Sequence, residues 1–153
     1  MGTKFKGSKK EVQALDAFIK LKRATDSLSA RITSEFPKLN ISESQFGVLE
    51  SLYHLGPLCQ KSLGDKILKS TGNITLVIDN LEKRELVERV RDTEDRRFIT
   101  IYLTDNGKKL IESIFPDHVK RITNEFSILS VEEQETLGKI CKKLGKKEKE
   151  EKD

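Results

Sequence analysis

Tryptophan is absent, methionine occurs once, proline three times and cysteine twice in a chain of 153 residues. Cys59 and Cys141 are far apart and neither belongs to a CxxC, so neither a disulfide framework nor a structural zinc site is indicated, and no metal is expected. No run approaches the roughly 18 apolar residues that a membrane helix needs. The start, Met1-Gly2-Thr3-Lys4-Phe5-Lys6, lacks the apolar stretch of a secretion signal, and Lys6 stands where a myristoylation pattern wants Ser or Thr. A protein of the reduced cytoplasm is expected, without a membrane partner. There is no GxGxxG, no P-loop and no GxSxG elbow, and neither cysteine has a neighbouring histidine in sequence, so the chain does not read as an enzyme and calls for no cofactor.

Charge is plentiful but nearly balanced: 29 Lys and Arg against 25 Asp and Glu give +4. That is a mild lean toward anionic partners. With 35% hydrophobic residues the chain can build one ordinary core but hardly two.

Helical periodicity fills most of the length. Val12, Leu15, Phe18, Ile19, Leu28, Ile32 and Phe36 mark one long first helix that stops near Pro37. A helix that long needs a partner surface along its side, which points to a dimer. Ser42 and Gln45 make a capping box before Phe46, Leu49, Leu52 and Tyr53, and Gly56-Pro57 closes this second helix. A short third helix runs from about Gln60 to Leu68. In the fourth, capped by Ser70 or Thr71, Ile74, Val77, Ile78 and Leu81 share one face, and Asn73, Thr75, Leu76, Asp79, Asn80 and Lys83 share the other. The period then changes to two. Residues 85–91 and 98–103 predict a two-stranded wing around Asp92-Thr-Glu-Asp-Arg-Arg97. Thr104 caps a further helix, with Pro116 expected to bend it, and Ser130 with Glu133 caps the last.

Two short helices joined by a tight turn and followed by a hairpin with a charged tip are the parts of a winged helix-turn-helix. The fold class is therefore mainly α with a small β wing, joined to a helical dimerisation region. A helix exposing small polar residues can enter the major groove, where base edges present a distinguishable hydrogen-bonding pattern. Lys69, Ser70, Thr71, Asn73 and Thr75 fit that use, and Gly72 lets the helix start approach a phosphate. Leu76 either meets a thymine methyl or packs on the wing. At the tip, Arg96 and Arg97 follow three acids; Arg97 is expected in the minor groove, with Asp95 holding it extended. Residues 59–97 carry nine basic and eight acidic side chains, so placement and not bulk charge makes this case.

The segments Leu63-Gly-Asp-Lys-Ile-Leu68, 73–89, Asp92-Thr-Glu-Asp-Arg-Arg97 and Leu103-Thr-Asp-Asn-Gly107 resemble the MarR family of bacterial transcription regulators, and the likeness covers about residues 11–145. The resemblance implies a homodimer with interlocked first and last two helices, a pseudo-palindromic double-stranded operator, and base reading through Asn73, Thr75 and Leu76 with Arg97 as the wing arginine. It further implies repression relieved by a small aromatic or phenolic effector bound between the two regions, or by cysteine oxidation. Residues 1–10 are then a flexible basic start, 42–103 the winged part, 11–36 and 104–145 the dimerisation helices, and 146–153 a charged flexible tail. Leu15, Ile19, Leu137, Ile140 and Leu144 supply the apolar stripes of the dimer. Cys59 stands where relatives often have Thr or Ser. It reads either as a redox or electrophile sensor or as a small half-buried filler, and Cys141 as interface packing. In oxidation-sensing relatives the reactive thiol sits in the first helix, which here has no cysteine. His54, His118, Phe18, Phe46, Tyr53 and Phe115 are candidates for an effector cavity. The rival to DNA binding is a winged helix that serves only as a protein-interaction module.

Overall fold

The computed structural model describes residues 2–67 and 71–146, at 71 and 72 the backbone alone. Residues 147–153 of the tail expected at 146–153 and the expected contacts Lys69 and Ser70 lie outside the described residues, as does the side chain of Thr71.

Helix α1 spans Lys9–Ile32, and its start two residues before the expected boundary is fixed by a capping box between Ser8 and Glu11. The same local pattern opens α2 (Glu43–Leu55) with Ser42 and Gln45, and α6 (Val131–Gly145) with Ser130 and Glu133. Each box satisfies two helix-end N–H groups within one turn of chain. The first helix ends earlier than expected, at Ile32. Phe36–Leu39 form a separate 3-10 turn, opened by Pro37 and closed by Asn40 in the left-handed region (φ 52°), which turns buried Phe36 and Ile41 into the core beside α2.

After α2 comes a strand that sequence periodicity missed. β1 (Leu58–Cys59) pairs antiparallel with β3 (Ile99–Leu103), which also pairs with β2 (Val87–Arg91), so the wing's base is a three-stranded sheet in the order β1-β3-β2 and not a two-stranded ribbon. Helix α3 (Gln60–Lys66) lies between β1 and α4 (Thr71–Lys83). Helix α5 (Asp105–Phe126) runs on through Pro116.

The core lies where these elements converge. Val48, Leu49, Leu63, Ile78, Leu81, Ile101 and Ile111 are fully buried, drawn from α2, α3, α4, β3 and α5. α4 stops with Glu85 in the left-handed region (φ 57°) and a Leu86 N–H bond to the Leu81 carbonyl (3.0 Å), a left-handed helix cap that starts β2 at once. Arg84 at this corner donates to the Asn40 carbonyl (2.6 Å), tying the end of α4 to the loop before α2. α1 and α6, by contrast, have no buried residue.

Candidate nucleic-acid interface and effector cleft

α4 has three faces. Ile74, Ile78 and Leu81 enter the core; Asn73, Leu76, Asn80 and Lys83 are exposed; Thr75, Asp79 and Glu82 run between them, facing the wing strand β2. Leu76 is 59% exposed, which removes the reading in which it packs on the wing. Thr75 is half-buried, and its hydroxyl accepts a bond from Gln60 Nε2 at 2.7 Å. The set named from the sequence thus divides. Asn73 and Leu76 face outward and Thr75 faces partly into the protein, while Lys69 and Ser70 are outside the described residues.

At the wing tip, the Asp92 carboxylate accepts the N–H groups of Glu94 (2.8 Å) and Asp95 (3.0 Å), which fixes the turn and lowers its own pKa. Asp95 then grips Arg97 twice, at Nε (3.0 Å) and Nη2 (2.7 Å), and also accepts the Arg97 backbone N–H (3.0 Å). The pairing lowers the carboxyl's pKa and raises the guanidinium's. The Arg97 side chain remains 88% exposed even so. One edge of its planar fork is held and the rest projects into solvent, a geometry that reduces the rotamer freedom lost on binding. Arg96 is exposed too, with its carbonyl held by Arg91 Nη1 at 3.2 Å.

A second feature adjoins α2. A cleft of about 460 Å³ opens between α1, α2, Ile67 and α5, with Phe36, Phe46, Glu50 and His118 among its walls. Phe46 and His118 stand 4.4 Å apart between ring centroids, and Phe36 lies 4.9 Å from Phe46. The aromatic row continues from His118 through Phe115 and His54 to Tyr53. Of the six cavity candidates, Phe46 and His118 line the cleft, while Phe115, His54 and Tyr53 extend the aromatic row beyond its walls. Phe18, 62% exposed on α1, is not part of the wall either. Phe36, Glu50 and Ile67 went unforeseen, since only the tertiary fold brings them to His118. Burial lowers the His118 pKa, a shift that Glu50 opposes and Arg121 reinforces, so the imidazole is neutral at pH 7. Its Nδ1 is buried without a hydrogen-bond partner.

Cys59 is the N-cap of α3. Its sulfur accepts the Ser62 N–H at 3.4 Å and lies 3.0 Å from the Ser62 hydroxyl, and these bonds lower the thiol's pKa. It borders a separate cleft beneath Arg97 and Phe98. Cys141 is exposed on α6.

Residues 41–99, from the loop before α2 into β3, match the model of the MarR family. The HTH-type transcriptional regulator MhqR of Bacillus subtilis (strain 168) is 38% identical over 133 residues, which is 87% of this chain and 92% of that protein. Among solved structures, NadR in complex with 4-hydroxyphenylacetate superposes with a TM-score of 0.75 at 25% identity, covering 97% of this chain and 100% of that one. AbsC, a MarR family transcriptional regulator from Streptomyces coelicolor, shares the fold at a TM-score of 0.82 and 19% identity, over 93% of this chain and 97% of its own. An exposed α4 face beside a projecting wing arginine, on a helical scaffold shared nearly end to end with these regulators, identifies the chain as a member of the MarR family, a winged helix-turn-helix protein that binds DNA to regulate transcription.

Proposed function

We propose that two copies of the chain bind a pseudo-palindromic operator as a repressor, each lobe placing the outer face of α4 in the major groove and Arg97 in the adjoining minor groove. The observation that carries this reading is the Asp95–Arg97 pair: a cation held by two bonds on one edge and still projecting from the tip of the wing. A bare charge cluster in a solvated turn needs no such brace. Narrow A·T-rich minor grooves concentrate negative potential and draw in an arginine presented this way. Asn73 and Leu76 then face base edges, the amide toward adenine and the leucine toward a thymine methyl.

The expected outcome for Arg97→Ala is about a tenfold loss of affinity for an operator duplex selected from a random library, with the slope of log affinity against log salt reduced by about one. Fluorescence anisotropy across a salt series measures both. Unchanged binding refutes the wing assignment, and indifference of the wild type to every duplex at low salt favours the protein-interaction module.

The cleft around His118 is the proposed effector site. NadR was solved with a hydroxylated aromatic acid, and the aromatic row here suits a ring of that size. Its charges differ from what a carboxylate needs. Glu43 and Glu50 both line the cleft and His118 is neutral, so an anion meets repulsion with no cation among the described lining residues to offset it, Arg121 acting on His118 from outside that lining. The favoured occupant is an uncharged phenol, its hydroxyl donating to the unpartnered Nδ1 of His118. Phenol is therefore expected to release the operator at concentrations where benzoate does not. His118→Ala should abolish that response and leave effector-free DNA binding unchanged. Equal potency of the two compounds would show that the acidic wall does not select.

A further inference from the structure

Nothing in the charge pattern of the sequence distinguishes Arg89 from the other basic residues of the wing region. In the fold it is distinct: only 19% of its side chain is exposed, and its partners all lie on one face of α4. Nη2 meets Asp79 Oδ1 at 2.6 Å and donates to the Thr75 carbonyl at 3.3 Å; Nη1 donates to Glu82 Oε1 at 3.0 Å. The backbone N–H of Arg89 completes the set by donating to Glu82 Oε2 at 3.1 Å. Positions 75, 79 and 82 follow one another at helical spacing, so this one side chain spans two turns of α4. Arg89 itself is anchored in the sheet, opposite Ile101 of β3.

We infer that Arg89 is a positioning residue for DNA recognition, a latch that sets the angle of α4 against the wing so that both reach their grooves together. The inference rests on α4 being the helix that reads DNA. Three features support it. The guanidinium is committed to protein acceptors, which leaves it poorly placed to meet a phosphate. The contact with the Thr75 carbonyl falls in the half of α4 that carries Asn73 and Leu76, so the latch acts on the segment that faces the bases. Without the cation, Asp79 and Glu82 would be neighbouring carboxylates at i, i+3 on the helix, whose repulsion favours a different packing of α4 on β2.

The test turns on opposite signs. Asp79→Ala with Glu82→Ala removes two negative charges beside the DNA. Simple electrostatics then predicts tighter binding to every duplex, whereas a lost latch predicts weaker binding to the selected operator alone. The expected result is at least a tenfold narrowing of the ratio between affinity for the library-selected operator and for a random duplex, with random-duplex affinity equal to or above that of the wild type. A merely unfolded fraction would lower both affinities by the same factor and leave the ratio intact. Arg89→Met should narrow the ratio similarly with the salt slope on random duplex unchanged, and Arg89→Lys, which keeps a charge within reach of one carboxylate, should restore part of it. The inference is overturned if the ratio survives Asp79→Ala/Glu82→Ala, or if Arg89→Met lowers the salt slope by about one, the mark of a direct phosphate contact. Asn73→Ala and Leu76→Ala, measured alongside, separate the two ideas. If they narrow the ratio and the latch variants do not, only the latch fails; if neither set does, α4 is not the reading helix and both fail.

Discussion

Replacing Ile140 and Leu144 together by glutamate is expected to leave the chain monomeric at micromolar concentration and to lower operator affinity by about a hundredfold or more, the scale of avidity gained when two sites are linked. The expectation follows from what the single chain leaves uncovered. Ile140 is 53% and Leu144 63% exposed, and with half-buried Leu137 they form one stripe along α6, a helix that buries none of its residues. α1 is in the same condition over 24 residues, with Phe18 and Leu21 outward and Leu15 and Ile19 half-buried. Fully burying one such side chain is worth about 1.5–3 kcal/mol, so a handful from each copy supplies the order of energy a stable dimer needs. Glutamates in that stripe would have to be desolvated without partners, which prevents closure. Because both residues are exposed in the single chain, the lobe itself should fold normally. Sedimentation equilibrium reads the mass, and anisotropy on the selected duplex reads the affinity. A dimeric double variant, or a monomer that binds the operator as the wild type does, would end the bivalent reading.

How much of this was legible beforehand depends on how far apart the determining residues lie. The boxes at Ser42 with Gln45 and Ser130 with Glu133 and the cap at Thr104 are local, and each stands where its residues predict. The same signal was present in Ser8-Lys9-Lys10-Glu11, masked by the surrounding lysines and glycines that suggested a loose start. The apolar face of α4 was equally clear, because i, i+3, i+4 periodicity survives any tertiary context. What was hidden is non-local. β1 is two residues long and is a strand only because Ile101 and Thr100 lie opposite it, about forty positions later. Phe36 continued the periodicity of α1, yet it belongs to the core beside Phe46, since α1 ends at Ile32 and Phe36 opens a separate 3-10 turn. Arg89 and the cleft around His118 fall in the same class: ordinary residues made distinctive by neighbours that sequence spacing does not reveal.

Gly107→Ala should cost more folding stability than any single polar substitution on the exposed face of α4. A methyl group built on Gly107 would overlap the Leu86 carbonyl oxygen and sit 2.8 Å from Leu103 Cδ1. The leucine could move; the carbonyl is backbone and could not move alone. It accepts the Thr104 N–H at 3.1 Å, while the Thr104 hydroxyl donates to the Glu85 carbonyl at 2.6 Å and accepts the Gly107 N–H at 3.0 Å. The first turn of α5 is thus stitched onto the corner where α4 passes into β2, and the glycine of the Leu-Thr-x-x-Gly segment is what allows that contact. Relieving the overlap means lifting α5 off the corner, which adds the loss of these bonds to the overpacking, about 3–5 kcal/mol in all. Thr104→Ala, which removes the cap without adding volume, should cost only about 1 kcal/mol. Urea unfolding followed by circular dichroism at one fixed protein concentration, so that dimer linkage is constant, reads both variants. If Gly107→Ala unfolds at the wild-type midpoint, α5 has room to shift, and the rigid union of the winged part with α5, through which the proposed effector near His118 would have to act, is lost with it.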